Sequence, residues 1–191
     1  MTSVGHALRE SLVDLERDPE LPDGIPAAVI VPLIDVDEPT LLFTRRTDTV
    51  RNHKGEISFP GGARHAEDPD LLATALRETH EELGISPEAF EVLGMLPPTH
   101  TMVSGYVISP FVGRLAERPP LAPSPVEIAE VLEVPISTLL NVEREVEAVG
   151  GLHPTMFVYE VGGNVVWGAT GRIVHGFLDI LRRHGWERDP A

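Results

Sequence analysis

The sequence predicts a single α/β domain, 1–191, on three observations. Apolar runs of strand length alternate with amphipathic segments of helical period. No internal repeat and no second apolar core divides the 191 residues, a length that one core can serve. Hydrophobic residues make up 42% of the chain, yet no apolar run is long enough to span a bilayer.

Met1 to Asp18 reads as an amphipathic helix with Leu8, Leu12 and Leu15 on one side, too acidic and too broken for a signal peptide. The Pro-rich connector Pro19 to Pro26 completes an N-terminal helix and linker, 1–26. Ala27 to Ile34 is a continuous apolar run, and its central Pro32 predicts a strand bulged or interrupted there. Asp35 to Thr40 is a turn, and Leu41 to Arg45 is the partner strand of a hairpin. Asp48 to Glu56 is polar and irregular, and Ile57 to Phe59 is a short extended piece leading into Pro60-Gly61-Gly62. Asp68 suits a helix N-cap and Pro69 the first helical position, where a missing N–H loses nothing. That helix runs to about Leu83 and ends at Gly84 in a left-handed cap. Phe90 to Leu96 and Tyr106 to Leu115 predict strands, and Glu117 to Pro125 an exposed loop. Val126 to Val134 fits helix or strand, and Ser137 to Leu140 one helical turn. Val142 to Val149, Thr155 to Val161 and Asn164 to Trp167 predict further strands, with Trp167 a core residue. Thr170 to His184 is a closing amphipathic helix.

The net charge of -15, from 15 basic and 30 acidic residues, argues against a general nucleic-acid or anionic-membrane surface. The absence of cysteine excludes disulfides and thiolate metal sites, and a reducing cytoplasm is the expected location. The basic residues are unevenly placed: Arg45, Arg46, Arg51, Lys54 and Arg64 share a stretch whose acids are Asp48 and Glu56. Such a segment suits either a small anion or plain solvated loop charge, and charge alone favours the second.

Chemistry concentrates in the helix after Gly61-Gly62. Glu78, Glu81 and Glu82 stand at i, i+3 and i+4, within one arc, while Leu72, Leu76, Thr79 and Leu83 fall on a core face. Like charges so spaced destabilise a bare helix by roughly 0.2–0.5 kcal/mol per pair. A hard divalent cation, Mg²⁺ or Mn²⁺, reverses that sign. Arg77, one turn before Glu81, is placed to hold that carboxylate. A double glycine before such a helix lets the backbone approach a ligand closely.

Together, Gly61-Gly62 and Arg77-Glu78-Thr79-His80-Glu81-Glu82-Leu83-Gly84-Ile85 resemble the Nudix box, here 61–85. Two departures stand out: Thr79 replaces an aliphatic residue, and the span from Gly62 to Arg77 is one residue longer than the general pattern. The early acid of the box is therefore either Glu67 or Asp68. The resemblance implies a Nudix fold, a mixed β-sheet sandwiched between helices, and hydrolysis of a nucleoside diphosphate linked to another group. It implies Glu78 and Glu82 as metal ligands, Glu81 as a ligand or a base acting through water, the Gly62 carbonyl as a further ligand, and Arg77 as part of the catalytic set.

Upstream, Leu42-Phe43-Thr44-Arg45-Arg46-Thr47, then Arg51, Gly55 and Phe59-Pro60-Gly61-Gly62, resembles the signature of the coenzyme A pyrophosphatase branch. Phe43 and Thr47 are mild departures from it. The branch implies cleavage of coenzyme A or a derivative to 3′,5′-ADP and 4′-phosphopantetheine. Arg46, Arg51 and Lys54 become candidates for meeting phosphates, with salt-bridged loop residues the even alternative. Thr101 to Pro110 is also similar to the branch, which makes Tyr106 a candidate pocket residue against ordinary half-buried packing. One of Glu127, Glu130 and Glu133 is a candidate carboxylate from outside the box. The competing readings are a Nudix hydrolase of ADP-ribose or another nucleoside diphosphate derivative, to which Pro97-Pro98 points weakly, and a non-catalytic nucleotide-binding regulator. The expected partner is a small molecule, without nucleic acid or membrane; a homodimer is left open.

Overall fold

Ala27 to Ile34 lies at the centre of a mixed sheet in the computed structural model, which describes residues 4–12, 23–48, 55–101, 104–146 and 156–187. Strand β1 (Ile25–Ile34) runs parallel to β7 (Tyr106–Leu115) along its whole length. Its other side pairs antiparallel with β4 (Gly61–Ala63), then with β2 (Thr40–Arg46) in the expected hairpin. β2 is flanked in turn by β3 (Ile57–Ser58) and β8 (Ile128–Pro135), and β7 by β5 (Glu91–Met95) and β6 (Thr99–His100).

Pro32 does not break β1. The Ile30 N–H donates to Pro60 and the Pro26 carbonyl accepts from Arg64, so even-numbered residues face β4 and β2. Pro32 falls between the β4 pairing, which ends at Val29, and the β2 pairing, which starts at Leu33. No ladder bond is lost where none is made. Gly61-Gly62 is a piece of extended edge strand against Ala28 and Val29. The undecided Val126 to Val134 resolves as β8, paired in register with β2.

Alternation along β1 sends Ala28, Ile30 and Ile34 to one face and Val29, Val31 and Leu33 to the other. The first face packs on helix α2 (Leu71–Leu83) through Leu71, Ala75 and Leu83. The second packs on α1 (Val4–Ser11), α3 (Ile136–Val142), α4 (Gly168–Arg183) and a small sheet of β9 (Glu143–Val146), β10 (Met156–Val161) and β11 (Asn164–Val166). Of the expected N-terminal helix, Leu8 is buried in α1 and Leu12 is partly buried, while Leu15 lies outside the described residues. Trp167, expected in the core, is 51% exposed and stands at the N-cap of α4. No described helix is long and apolar enough to cross a membrane.

Candidate active site

The N-terminus of α2 differs from the sequence expectation in a way that builds the site. Asp70, not Asp68, is the N-cap; its carboxylate accepts the Ala73 N–H at 2.7 Å. Asp68 is thereby free to turn inward. It accepts Arg77 Nε at 3.0 Å on one oxygen and Arg77 Nη2 at 3.0 Å on the other, a side-by-side pair. The His65 N–H and the buried Thr74 hydroxyl, each at 2.9 Å, complete its shell. The Arg77 hydrogen bond is the largest influence holding Asp68 far below the ordinary carboxylate range, against the opposing effect of burial. Of the two early acids, Asp68 is the one joined to Arg77, and Glu67 is exposed. Thr74 was not legible as part of this network, since a threonine on an apolar helix face reads as packing.

Arg77 spends its remaining nitrogen on the next two acids: Nη1 donates to Glu78 at 2.8 Å and to Glu81 at 3.2 Å. Glu78 is nearly covered, with its side chain 16% exposed, whereas Glu81 is 57% exposed. Glu78 lies against the β4 backbone. A methyl group on Gly62 would sit 2.6 Å from the Glu78 carboxyl carbon, so only glycine leaves this cradle open. Thr79 has no side-chain exposure to water to answer for: it is buried, and its hydroxyl donates to the Ala75 carbonyl at 2.7 Å. At the far end Gly84 adopts the left-handed cap, φ 72°, and its N–H bonds the His80 carbonyl.

Glu82 is the buried member, 3% exposed. It accepts the Gly61 N–H at 3.3 Å and Arg46 Nη1 at 3.3 Å. Alternation along β2 places Leu42, Thr44 and Arg46 on the α2 side, which aims Arg46 at this carboxylate. The bulge in the β2–β8 pairing falls between Arg45 and Arg46. Arg46 also lies 3.8 Å from Glu127, and its buried Nε has no hydrogen-bond partner. Burial is the main reason that the Glu82 pKa is pushed up to about 8; Arg46 opposes that rise, and Glu78 and Glu127 add to it. Of the three outside acids, geometry brings Glu127 to the site; Glu130 pairs with Arg45 and Glu133 with Arg118. Tyr106 is half-buried at the start of β7, its N–H donating to Thr101 Oγ1 at 2.9 Å. Arg51 and Lys54 lie outside the described residues.

The donors fit a hard divalent cation: carboxylate oxygens of Glu78 and Glu82, beside a strand backbone at Gly62 that a side chain would close off. Among the described residues, no three acidic or histidine side chains converge into a metal-holding group by themselves. Glu81 is held at Arg77 instead.

Residues 24–151 match the family model described as NUDIX domain. A protein of Photorhabdus laumondii named "Uncharacterized Nudix hydrolase NudL" is 39% identical over 153 residues, 78% of this chain and 81% of that one. Its namesake in Pectobacterium atrosepticum is likewise 39% identical over 153 residues, 78% of this chain and 79% of that one. Among solved structures, a MutT/nudix family protein from Enterococcus faecalis aligns with a TM-score of 0.55 at 17% identity, covering 98% of this chain and 77% of the other. A MutT protein from Methanosarcina mazei Go1 gives 0.55 at 16% identity, over 91% of this chain and all of that one, a likeness of fold alone.

Proposed function

The chain belongs to the Nudix hydrolase family, and we propose that within it this protein cleaves the diphosphate of coenzyme A or a derivative, using Mg²⁺ or Mn²⁺. Water adds to one phosphorus, the bridging P–O bond breaks, and 3′,5′-ADP and 4′-phosphopantetheine leave. The observation that carries the substrate reading is the way the upstream signature is wired onto the box. Thr44 donates to the Ser58 carbonyl at 3.2 Å, Phe59 stacks on Phe43 with ring centroids 4.7 Å apart, and Arg46 and the Gly61 N–H both meet Glu82. Phe43 and Phe59 anchor the segment in the core on the other face of the sheet, and Arg46 and Gly61 are the residues of the signature that reach the site.

Nudix hydrolases generally work with divalent metal ions; such an ion, when bound, neutralises diphosphate charge and lowers the pKa of attacking water. Glu78 and Glu82 would hold it; the Gly62 carbonyl expected beside them is turned to Ala28 in the β1–β4 ladder, and the backbone on the Glu82 side is that of Gly61, whose N–H meets Glu82. Glu81 stands exposed within reach of Arg77, placed to join the ligands or to take a proton from water. Asp68 orients Arg77, and Arg77 orients Glu78 and Glu81. Glu127 is the further acid, joined to Glu82 through Arg46. Arg46, Arg51, Lys54 and Tyr106 are the candidate substrate contacts. Substrate profiling with Mg²⁺ and Mn²⁺ against coenzyme A, 3′-dephospho-coenzyme A, ADP-ribose and dinucleoside polyphosphates tests the reading. Coenzyme A should give the highest kcat/KM, and a chelator should abolish it. A higher value for ADP-ribose would move the protein to another branch, and no hydrolysis of any diphosphate would leave a nucleotide-binding regulator.

A further inference from the structure

We infer that Arg172 is a specificity-determining residue that binds a second anionic group of the substrate, a phosphomonoester set apart from the scissile diphosphate; this rests on the diphosphatase reading above. Acids outnumber bases 30 to 15 in this chain, so arginines find carboxylates readily. Among the described residues every arginine does so, except Arg64 and Arg172. Arg64 is exposed and donates to the Asp68 and Pro69 carbonyls at the start of α2. Arg172 is different. It is half-buried in the first turns of α4 and donates from Nη2 to the carbonyl of His100, with no acid among the described residues paired to it. Burial accordingly lowers its pKa from the ordinary arginine value. A guanidinium has five N–H donors in a planar fork suited to phosphate, and here four have no described protein acceptor.

Its location connects it to the site. His100 pairs with Val107 of β7, Val107 with Pro26 of β1, and the Pro26 carbonyl accepts the N–H of Arg64, where the chain leaves β4. Arg172 therefore docks on the same end of the sheet from which the box departs, coming from the face opposite α2. Three strand spacings of ~4.8 Å, about 14 Å in all, separate the His100 carbonyl, where the guanidinium sits, from the Arg64 N–H. A diphosphate, one sugar and a second phosphate, laid over the end of the sheet with the guanidinium–phosphate contact at one end, bridge that span. The backbone that Arg172 holds belongs to Thr99-His100, beside the Thr101 to Pro110 segment that resembles the coenzyme A branch.

Calorimetric titration of the intact protein with 3′,5′-ADP, 5′-AMP and inorganic phosphate tests the inference without relying on turnover. Wild type should bind 3′,5′-ADP at least about tenfold more tightly than 5′-AMP, a difference of about 1.4 kcal/mol. Arg172→Gln should remove that preference while leaving 5′-AMP binding in place, and Arg172→Lys should keep part of it. Arg64→Gln should keep it whole. Kinetics give the matching readout: Arg172→Gln should raise KM for coenzyme A, and not for 3′-dephospho-coenzyme A. Wild type that does not prefer 3′,5′-ADP, or an Arg172→Gln variant that weakens both nucleotides equally, overturns the inference and leaves Arg172 as a peg between α4 and β6. Binding of inorganic phosphate as tight as that of 3′,5′-ADP overturns it as well. If the nucleotide preference holds but coenzyme A is not hydrolysed, the substrate reading fails and the anion site stands.

Discussion

Two buried glutamates on opposite faces of the sheet show how differently the same side chain can be used. Glu143, at the start of β9, has its side chain 9% exposed and receives the Tyr159 hydroxyl, His175 Nδ1 at 3.0 Å, and Arg182. Burial pushes its pKa up, but those three donors outweigh burial and the net shift is downward. Glu82, with its side chain 4% exposed, has one backbone N–H and one guanidinium, both at 3.3 Å, and two other acids nearby. Its net shift is upward. Glu143 is a finished structural charge. Glu82 is an unfinished one, and on the proposed reading a divalent cation completes it.

The largest effect expected from this contrast is catalytic. Glu82→Gln or Glu78→Gln should lower kcat by about 10² or more with the fold intact, and wild-type turnover in either variant would remove it from the metal site. Glu143→Gln should leave kcat/KM unchanged at moderate temperature.

Asp68→Asn sharpens the comparison, because Asp68 reaches the site only through Arg77. It should weaken Mn²⁺ binding, read by electron paramagnetic resonance without substrate, by about 10–100-fold. A variant with wild-type Mn²⁺ affinity would reduce the Asp68–Arg77 pair to a brace of the loop.

The stability effects should have opposite signs in the two clusters. Glu143→Gln breaks a satisfied cluster and should cost about 2 kcal/mol, lowering Tm by about 4–8 °C. Metal-free Glu82→Gln should be no less stable than wild type near neutral pH, and a Tm loss as large as that of Glu143→Gln would erase the distinction.

The smallest effect is the pH dependence of that difference. The folded-state pKa of Glu82, about 8, lies above the ordinary value of 4.5. Its favourable contribution is thus full below pH 4.5, declines through the window between, and is lost above pH 8. In chelator, the Tm advantage of Glu82→Gln over wild type should therefore widen between about pH 5 and about pH 9. A constant difference would place Glu82 in a less buried setting.

Local rules carried much of the fold. The left-handed cap at Gly84, the limits Tyr106–Leu115 of β7, and the arc of Glu78, Glu81 and Glu82 each depend on neighbours a few residues away. Those interactions are written in consecutive residues, and a sequence by itself determines them. It also carried the box, whose glycines and carboxylates stand at fixed spacing along one loop and helix.

Tertiary structure decided whatever depended on partners distant in the chain. In sequence Asp68 before Pro69 reads as the cap; the nine-residue reach of Asp68 to Arg77 draws it inward and leaves the cap to Asp70. Pro32 looked like an interruption until the gap between β4 and β2 gave its missing N–H a place. Glu127, Glu130 and Glu133 were indistinguishable until β8 paired with β2 and left Glu130 on Arg45 and Glu127 beside Arg46. Arg172 had no signal at all in sequence, since an arginine without a counter-ion is visible only when every neighbour is in place. The physical reason is common to all four: burial and pairing of charge are set by the whole sheet, and no local window contains them.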